Sequence, residues 1–228
     1  MILGRGLLSA AFAPRWQDDE DVLVIAAGVS NSAEQDGAQF EREHLLLSRS
    51  LSETRFRRVV YFGSCAVGNP HERRTPYLEH KARMERLVRE DARGLVLRLP
   101  QVVGLGGNPN TLTNFLHARI ESGEQFDVWT LAERNLIDVA DVAMIGEHII
   151  EHAETFSSVV AVADVQSSAM LTIVHEMERV MGRKANYHCV RRGEPLEIDT
   201  SECAIAAEAV GVKLGPGYLT RLLKNYYG

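Results

Sequence analysis

No run of apolar residues in this sequence approaches the roughly 20 that a bilayer demands, which excludes a membrane-spanning helix. The first residues also lack the basic stretch and long apolar stretch of an export signal, so a cytoplasmic location is expected. Cysteine is scarce. Cys65, Cys189 and Cys203 lie far apart without metal-ligand spacing, so they read as reduced thiols, and neither a disulfide framework nor a metal site is expected. There is no basic block, which removes nucleic acid from the expected partners. Repeats and low-complexity tracts are absent as well. What remains is a chain of 228 residues with interspersed charges and a formal net charge of −6, enough for one or at most two compact domains with a sizeable core.

The stretch from Arg58 to Val88 organises this chain. Val59-Val60-Tyr61-Phe62 is short and apolar enough for a buried strand, and it ends at Gly63-Ser64. A polar loop with Pro70 and Pro76 follows, and a helical pattern opens at Tyr77. Tyr77 and Lys81 are four apart and share one helix face, and Ser64 at the strand end is placed to fold back against it. A hydroxyl, a phenol and an ammonium together suit proton transfer. The cation is expected to favour the phenolate and lower the pKa of Tyr77. On spacing alone, a Tyr four residues before a Lys is more often a surface pair.

The chain opens with a short strand at Met1-Ile2-Leu3 and then Gly4-Arg5-Gly6-Leu7-Leu8-Ser9, a Gly-x-Gly-x-x-Ser pattern one residue off the dinucleotide-binding fingerprint. Its glycines suit a tight turn that brings a pyrophosphate to a helix N-terminus. The helix starting near Leu7 is expected to stop at about Phe12, because Pro14 follows. After a polar loop ending at Asp21 comes Val22-Leu23-Val24-Ile25-Ala26-Ala27-Gly28, a strand leading into small residues.

Together these segments resemble the short-chain dehydrogenase/reductase superfamily, and within it the extended, sugar-nucleotide-modifying branch, the NAD-dependent epimerase/dehydratase family. Gly63-Ser64-Cys65-Ala66-Val67-Gly68 resembles the first half of that family's active-site pattern, with one residue missing, and Thr75-Pro76-Tyr77-Leu78-Glu79-His80-Lys81 resembles the second. Arg134-Asn135-Leu136-Ile137-Asp138-Val139-Ala140-Asp141-Val142-Ala143 is similar to the segment that joins the substrate side to the next core helix. The resemblance implies an α/β fold: a Rossmann-like, doubly wound parallel sheet, shortened because the polar loop Asp18 to Asp21 has too few residues for strands 2 and 3, with a small C-terminal substrate-capping region. It places an NAD(P)-binding core in residues 1–150, with part of the substrate pocket at 101–135, and a mixed core and capping region in 151–228.

The resemblance implies Ser64, Tyr77 and Lys81 as catalytic residues. It implies NAD or NADP contacts from Gly4, Arg5, Gly6, Leu7, Leu8, Ala26, Ala27, Gly28, Tyr77, Lys81, Pro100, Val102 and Val103. Arg5 tilts the choice toward NADP if it meets a ribose 2′-phosphate; otherwise it is a solvated side chain. A nucleotide-sugar substrate would meet Ser64, Cys65, Gln101 and Arg134, whose guanidinium suits a diphosphate. Where relatives carry an Asn in the helix expected over 34–52, this chain has Glu43 or a neighbour. Either the adenosine half of the cofactor meets a reduced surface, or cofactor binding has weakened or gone. The function implied is oxidoreduction of a sugar nucleotide of the keto-sugar reductase type, the alternatives being an epimerase or a non-catalytic binding relative.

Further helices are expected over 111–121, 142–153 with Asp141 as its cap, 168–182, 199–209 and 218–227, and strands over 158–163 and 187–190. His44, His80 and His117 read as surface or packing residues. Consecutive Leu45, Leu46 and Leu47, with Met84, Leu87 and Val88, give the helices over 34–52 and 77–91 more apolar positions than one core face uses. A homodimer through those helices is therefore expected.

Overall fold

A computed structural model of the chain describes residues 1–106 and 111–228. Strand β1 (Ile2–Leu3) is followed by α1 (Leu7–Trp16), β2 (Val22–Ile25), α2 (Gly37–Ser52) and β3 (Arg58–Ser64). A single turn, α3 (Cys65–Gly68), leads through a loop to α4 (Pro76–Arg89), β4 (Gly94–Leu99) and β5 (Gln101–Val103). Then come α5 (Leu112–Ser122), β6 (Phe126–Trp129), β7 (Glu133–Arg134), β8 (Leu136–Asp138) and α6 (Val139–Glu151). The chain ends with β9 (Val159–Ala161), β10 (Ser168–Ala169), α7 (Met170–Met181), β11 (Tyr187–Val190), α8 (Ser201–Ala209) and α9 (Tyr218–Tyr227).

The apolar runs form one sheet of five strands in the order β1-β2-β3-β4-β9, all parallel, which is the shortened Rossmann-like α/β sheet expected from the sequence. Only residues 17–21 separate α1 from β2, so β1 is an edge of this sheet among the described residues. Successive strand residues face opposite layers. Val22, Val24, Val60, Phe62, Leu95 and Leu97 pack with Phe12 and Trp16 of α1 and with Ile145 and Ile149 of α6. Leu23, Ile25, Val59, Tyr61 and Val96 pack with Leu47 of α2 and with Met84 and Val88 of α4. The strands advance one way from β1 to β4, yet α1 lies on the opposite face from α2 and α4. The β1–α1–β2 crossover therefore has the opposite hand to the next two. Such crossovers nearly always share one hand, set by strand twist; the shortened junction departs from it, as does the return from β4 to β9 through α6 on the α1 face.

Helix α1 runs through Pro14 to Trp16, beyond the stop expected near Phe12. Pro14 withdraws one hydrogen-bond donor from the Ala10 carbonyl, but both residues are exposed and water reaches that carbonyl. Phe12 and Trp16, four apart, are 0% and 2% exposed and hold the last turn against the core. Helix α2 begins at Gly37, later than expected, where the Asp36 carboxylate accepts from the Ala38 N–H. The cap of α6 is Asp138 rather than Asp141, because the chain turns helical as soon as it leaves β8; the Asp138 carboxylate accepts from Ala140 N at 2.8 Å. Asp141 instead accepts from the Tyr218 hydroxyl, tying α9 to α6. Gly107 and Asn108, the end of the stretch expected to open a substrate pocket, lie outside the described residues. Among the described residues no helix is long and apolar enough to cross a membrane.

Candidate active site

Loops diverge at the carboxyl edge of an open parallel sheet, and ligands meet the protein there. That edge gathers residues from four strands. Gly4, Arg5, Gly6, Leu7 and Leu8 follow β1; Ala26, Ala27 and Gly28 follow β2; Ser64 ends β3; Pro100, Gln101, Val102 and Val103 follow β4. Gly4 has φ +142°, and a Cβ there would lie 2.4 Å from the Ala26 carbonyl oxygen, so only glycine fits the first turn against the second. Gly6 opens α1 without a side-chain cap, no acidic residue occupies the first turn, and a Cβ on Gly6 would meet nothing. The N–H groups of that turn have no side-chain cap, which suits an anion. Ser9, at the position of the fingerprint's third glycine, is buried and its hydroxyl donates to the Gly4 carbonyl at 3.0 Å. Gly104 packs against Leu7, which brings the β5 arm beside the glycine turn. Arg5 is exposed.

Thr75 caps α4 by accepting from Leu78 N at 3.2 Å, and Pro76 occupies its first turn. Tyr77 therefore starts on the inner face, 8% exposed, with the Ser64 hydroxyl bearing on its phenol. Burial pushes the phenol up to about 12; Ser64 opposes this, and the charges of Glu43 and Glu85 add to it. The lowering expected from Lys81 is not found. Its ammonium is committed elsewhere. Ser64 also caps α3 by accepting from Ala66 N at 3.3 Å, while Cys65 is buried with its thiol donating to the Arg98 carbonyl at 3.4 Å. Burial raises the pKa of that thiol, and any substrate contact at this position falls to the Cys65 backbone.

Behind Tyr77 lies a group of polar side chains that sequence reasoning did not assemble. Glu43 of α2 is 1% exposed. Its Oε1 accepts from the Tyr61 hydroxyl at 2.6 Å and from Lys81 Nζ at 3.1 Å. Its Oε2 accepts from Val29 N at 2.7 Å and from His80 Nε2 at 3.0 Å. Burial alone would raise the pKa of Glu43, but the His80 bond, the Lys81 charge and the bonds from Tyr61 and Val29 bring it down to about 2. Lys81, 3% exposed, also donates to the Tyr61 oxygen at 2.8 Å and the Phe62 carbonyl at 3.2 Å. An ammonium has three hydrogens, and all three are engaged. His80 is a packing residue, as read from the sequence: its ring stacks on Phe40 with centroids 4.6 Å apart. A Cβ on Gly28 would sit 2.6 Å from Glu43 Oε1 and 2.9 Å from Lys81 Nζ, so the small-residue turn after β2 rests directly on this pair.

A second buried carboxylate, Glu85 one turn further along α4, takes the Arg98 guanidinium at 2.7 and 2.9 Å and the Ser64 N–H at 3.3 Å. It anchors the end of β3 that carries Ser64. On the far side, Arg134 is half-buried in β7, donates to the Glu133 carbonyl, and has its pKa lowered by burial while Glu72 opposes that. Its neighbour Asn135 is 1% exposed and clips the Asp164 backbone through both amide atoms, at 2.8 and 3.1 Å. Gln101 enters β5 with its N–H donating to the Asn135 carbonyl at 3.0 Å, so the Arg134 strand is tied to the arm that leaves β4.

A family model described as the NAD dependent epimerase/dehydratase family matches residues 15–163. No curated protein matches the sequence. Among solved structures, the chain is similar to a UDP-glucuronic acid 4-epimerase from Bacillus cereus in complex with UDP-glucuronic acid and NAD. The two share 14% identity over 98% of this chain and 79% of that one, with a TM-score of 0.74. A UDP-glucose 4-epimerase from Brucella ovis in complex with NAD shows 18% identity over 99% and 83%, TM-score 0.73. RMD from Pseudomonas aeruginosa, complexed with NADPH, shows 17% identity over 97% and 85%, TM-score 0.70. At such identities the likeness is one of fold.

Proposed function

Because the chain belongs to the NAD-dependent epimerase/dehydratase family, we propose that it is an NAD(P)-dependent oxidoreductase acting on a nucleotide-diphosphate sugar, of the keto-sugar reductase type. The observation that carries this reading is the Ser64–Tyr77 pair at the carboxyl edge of the sheet, with the phenol held protonated, its pKa at about 12. Reducing a ketone requires a proton donor at the carbonyl oxygen, and a phenol of that pKa is one at neutral pH. An epimerase also needs the same residue as a base in its oxidising half, which this environment disfavours.

The residues at this edge fit a dinucleotide. The open first turn of α1 at Gly6 would take the pyrophosphate, the small residues Ala26, Ala27 and Gly28 would let its nicotinamide half approach, and Pro100, Val102 and Val103 would flank it. When bound in its reduced form the dinucleotide supplies the hydride. Tyr77 gives its proton to the sugar's carbonyl oxygen, which becomes a hydroxyl. Ser64 hydrogen-bonds the same oxygen and orients the phenol. Lys81 contributes a fixed positive charge beneath Gly28, since its three hydrogens are used within the protein. Arg134, half-buried and with no carboxylate in ion-pair contact among the described residues, supports the reading of an anionic diphosphate there. Titrating the purified protein with NADH and NADPH by fluorescence, then adding nucleotide keto-sugars and following loss of reduced cofactor, tests the proposal. Saturable binding and turnover are expected; absence of binding of either dinucleotide would remove the reading.

We also propose a homodimer through α2 and α4. Met84, Val88 and Leu47 turn out to pack inward against the sheet, so the outward apolar positions are Leu45, which is 44% exposed, with Leu46 and Leu87 partly so. The C-terminal helices α6, α8 and α9 contribute to the core on the other face, which leaves α2 and α4 uncovered by them. Light scattering is expected to give about twice the 25.3 kDa of one chain. A single-chain mass that does not change on concentration would sink the dimer.

A further inference from the structure

Lys81 lies in a place where an ammonium is costly. It is 3% exposed, enclosed by α2, α4, β3 and the turn after β2, and burial lowers its pKa. The groups around it are few. Glu43 comes from α2; Tyr77, His80 and Glu85 come from α4; Tyr61 and the Phe62 carbonyl come from β3; the Gly28–Val29 turn adds backbone only. Glu85 is matched by Arg98, Tyr61 and Tyr77 are phenols, and His80 is itself a donor to Glu43. Among the described residues one anion therefore remains to balance Lys81.

We propose that Glu43 is a positioning residue that sustains Lys81 as a buried ammonium and fixes it, through Val29 N and Tyr61, between the cofactor-side turn and the catalytic helix. Four donors from two elements and that turn converge on its two oxygens, so the carboxylate sets where the Lys81 charge sits as well as whether it persists. Carboxylate and ammonium lie 3.1 Å apart, on α2 and α4. Their geometry links three things that the chemistry uses: the height of the Gly28 turn, the position of Lys81, and the charge felt at Tyr77. The part Lys81 plays in the reaction rests on the function proposed above; the state of the lysine does not.

The chain has four lysines, Lys81, Lys184, Lys213 and Lys224, and the last three are exposed. Carbon-13 labelling of lysine therefore gives one buried signal to follow against three references. In the Glu43→Gln variant the Lys81 signal is expected to titrate at lower pH than in the parent, while the three exposed lysines stay in place. NADH affinity in that variant is expected to weaken about tenfold for each pH unit above the new transition, because only the charged fraction is competent. The double variant Glu43→Gln/Lys81→Met removes that pH dependence. Should Glu43→Gln not fold, Glu43→Asp keeps the charge, shortens its reach, and is expected to shift Lys81 in the same direction by less. An unchanged Lys81 titration, or NADH binding weakened equally at every pH, overturns the proposal. If the parent itself binds no NADH, the function proposed above fails, and the lysine titration alone decides the role of Glu43.

Discussion

Turnover of a Tyr77→Phe variant is expected to fall about 10²–10⁴-fold, with NADH affinity and fold kept, since that range is what a positioned proton donor contributes. The substitution removes one oxygen from a side chain already 8% exposed, so the ring still fills its place at the start of α4. Ser64 keeps its role as cap of α3 through the Ala66 N–H. Even if the phenol gave up a whole hydrogen bond, the cost would be about 0.5–1.5 kcal/mol, which a stable domain tolerates. In the parent, the phenol's pKa of about 12 means the donor form persists across the neutral range. The rate of reduction should therefore show no alkaline limb from Tyr77 until the pH nears that value. Circular dichroism and NADH fluorescence separate a folded, cofactor-binding, slow enzyme from a damaged one. Turnover retained within a few-fold would take Tyr77 out of the mechanism.

What could be read from the sequence followed the reach of local rules. Val59 to Phe62, the break at Gly63-Ser64, and the opening of a helix at Tyr77 are strand and cap signals, and β3 and α4 appear where those signals stand. The shortened sheet was also legible, because residues 17–21 cannot hold a strand-helix-strand unit whatever the tertiary context. Pro14 misled because propensity is a local cost, and burial of Phe12 and Trp16 outweighs it. Asp141 misled because either aspartate satisfies a cap rule, and only the end of β8 selects Asp138. The Glu43 group was out of reach for another reason: its partners Tyr61, His80 and Lys81 stand 18, 37 and 38 residues away. One trace of it is local. Glu43, Leu47 and Ser50 repeat at helical spacing, and all three are buried in α2, so the inner face of that helix carries a carboxylate among core residues. A carboxylate on such a face demands a partner, and Lys81 is the one that the same reading had assigned to catalysis and cofactor contact.

That dual use of Lys81 leads to a large effect on stability. A Lys81→Met variant is expected to be less stable by about 3–5 kcal/mol at neutral pH, the usual result of removing one partner of a buried ion pair. Methionine keeps the stem's apolar contacts, so the loss falls on Glu43, which stays enclosed with Tyr61, His80 and Val29 as its remaining donors. One contribution runs the other way: burial had lowered the pKa of Lys81, and the variant no longer bears that desolvation. The effect should depend on pH in a direction fixed by Glu43. In the parent its folded-state pKa, about 2, lies below the ordinary 4.5, so its stabilising contribution is complete above pH 4.5 and is lost as the pH falls toward 2. Without the Lys81 charge its pKa rises, and the variant has less to lose over that window. The gap between parent and variant is thus expected to be full at pH 7 and to shrink as the pH drops below 4.5. Urea unfolding at several pH values measures it, with an unchanged m-value confirming that the folded state stays compact. A variant as stable as the parent at pH 7, or a gap that widens in acid, would show that the Lys81 ammonium does not hold Glu43 in its charged form.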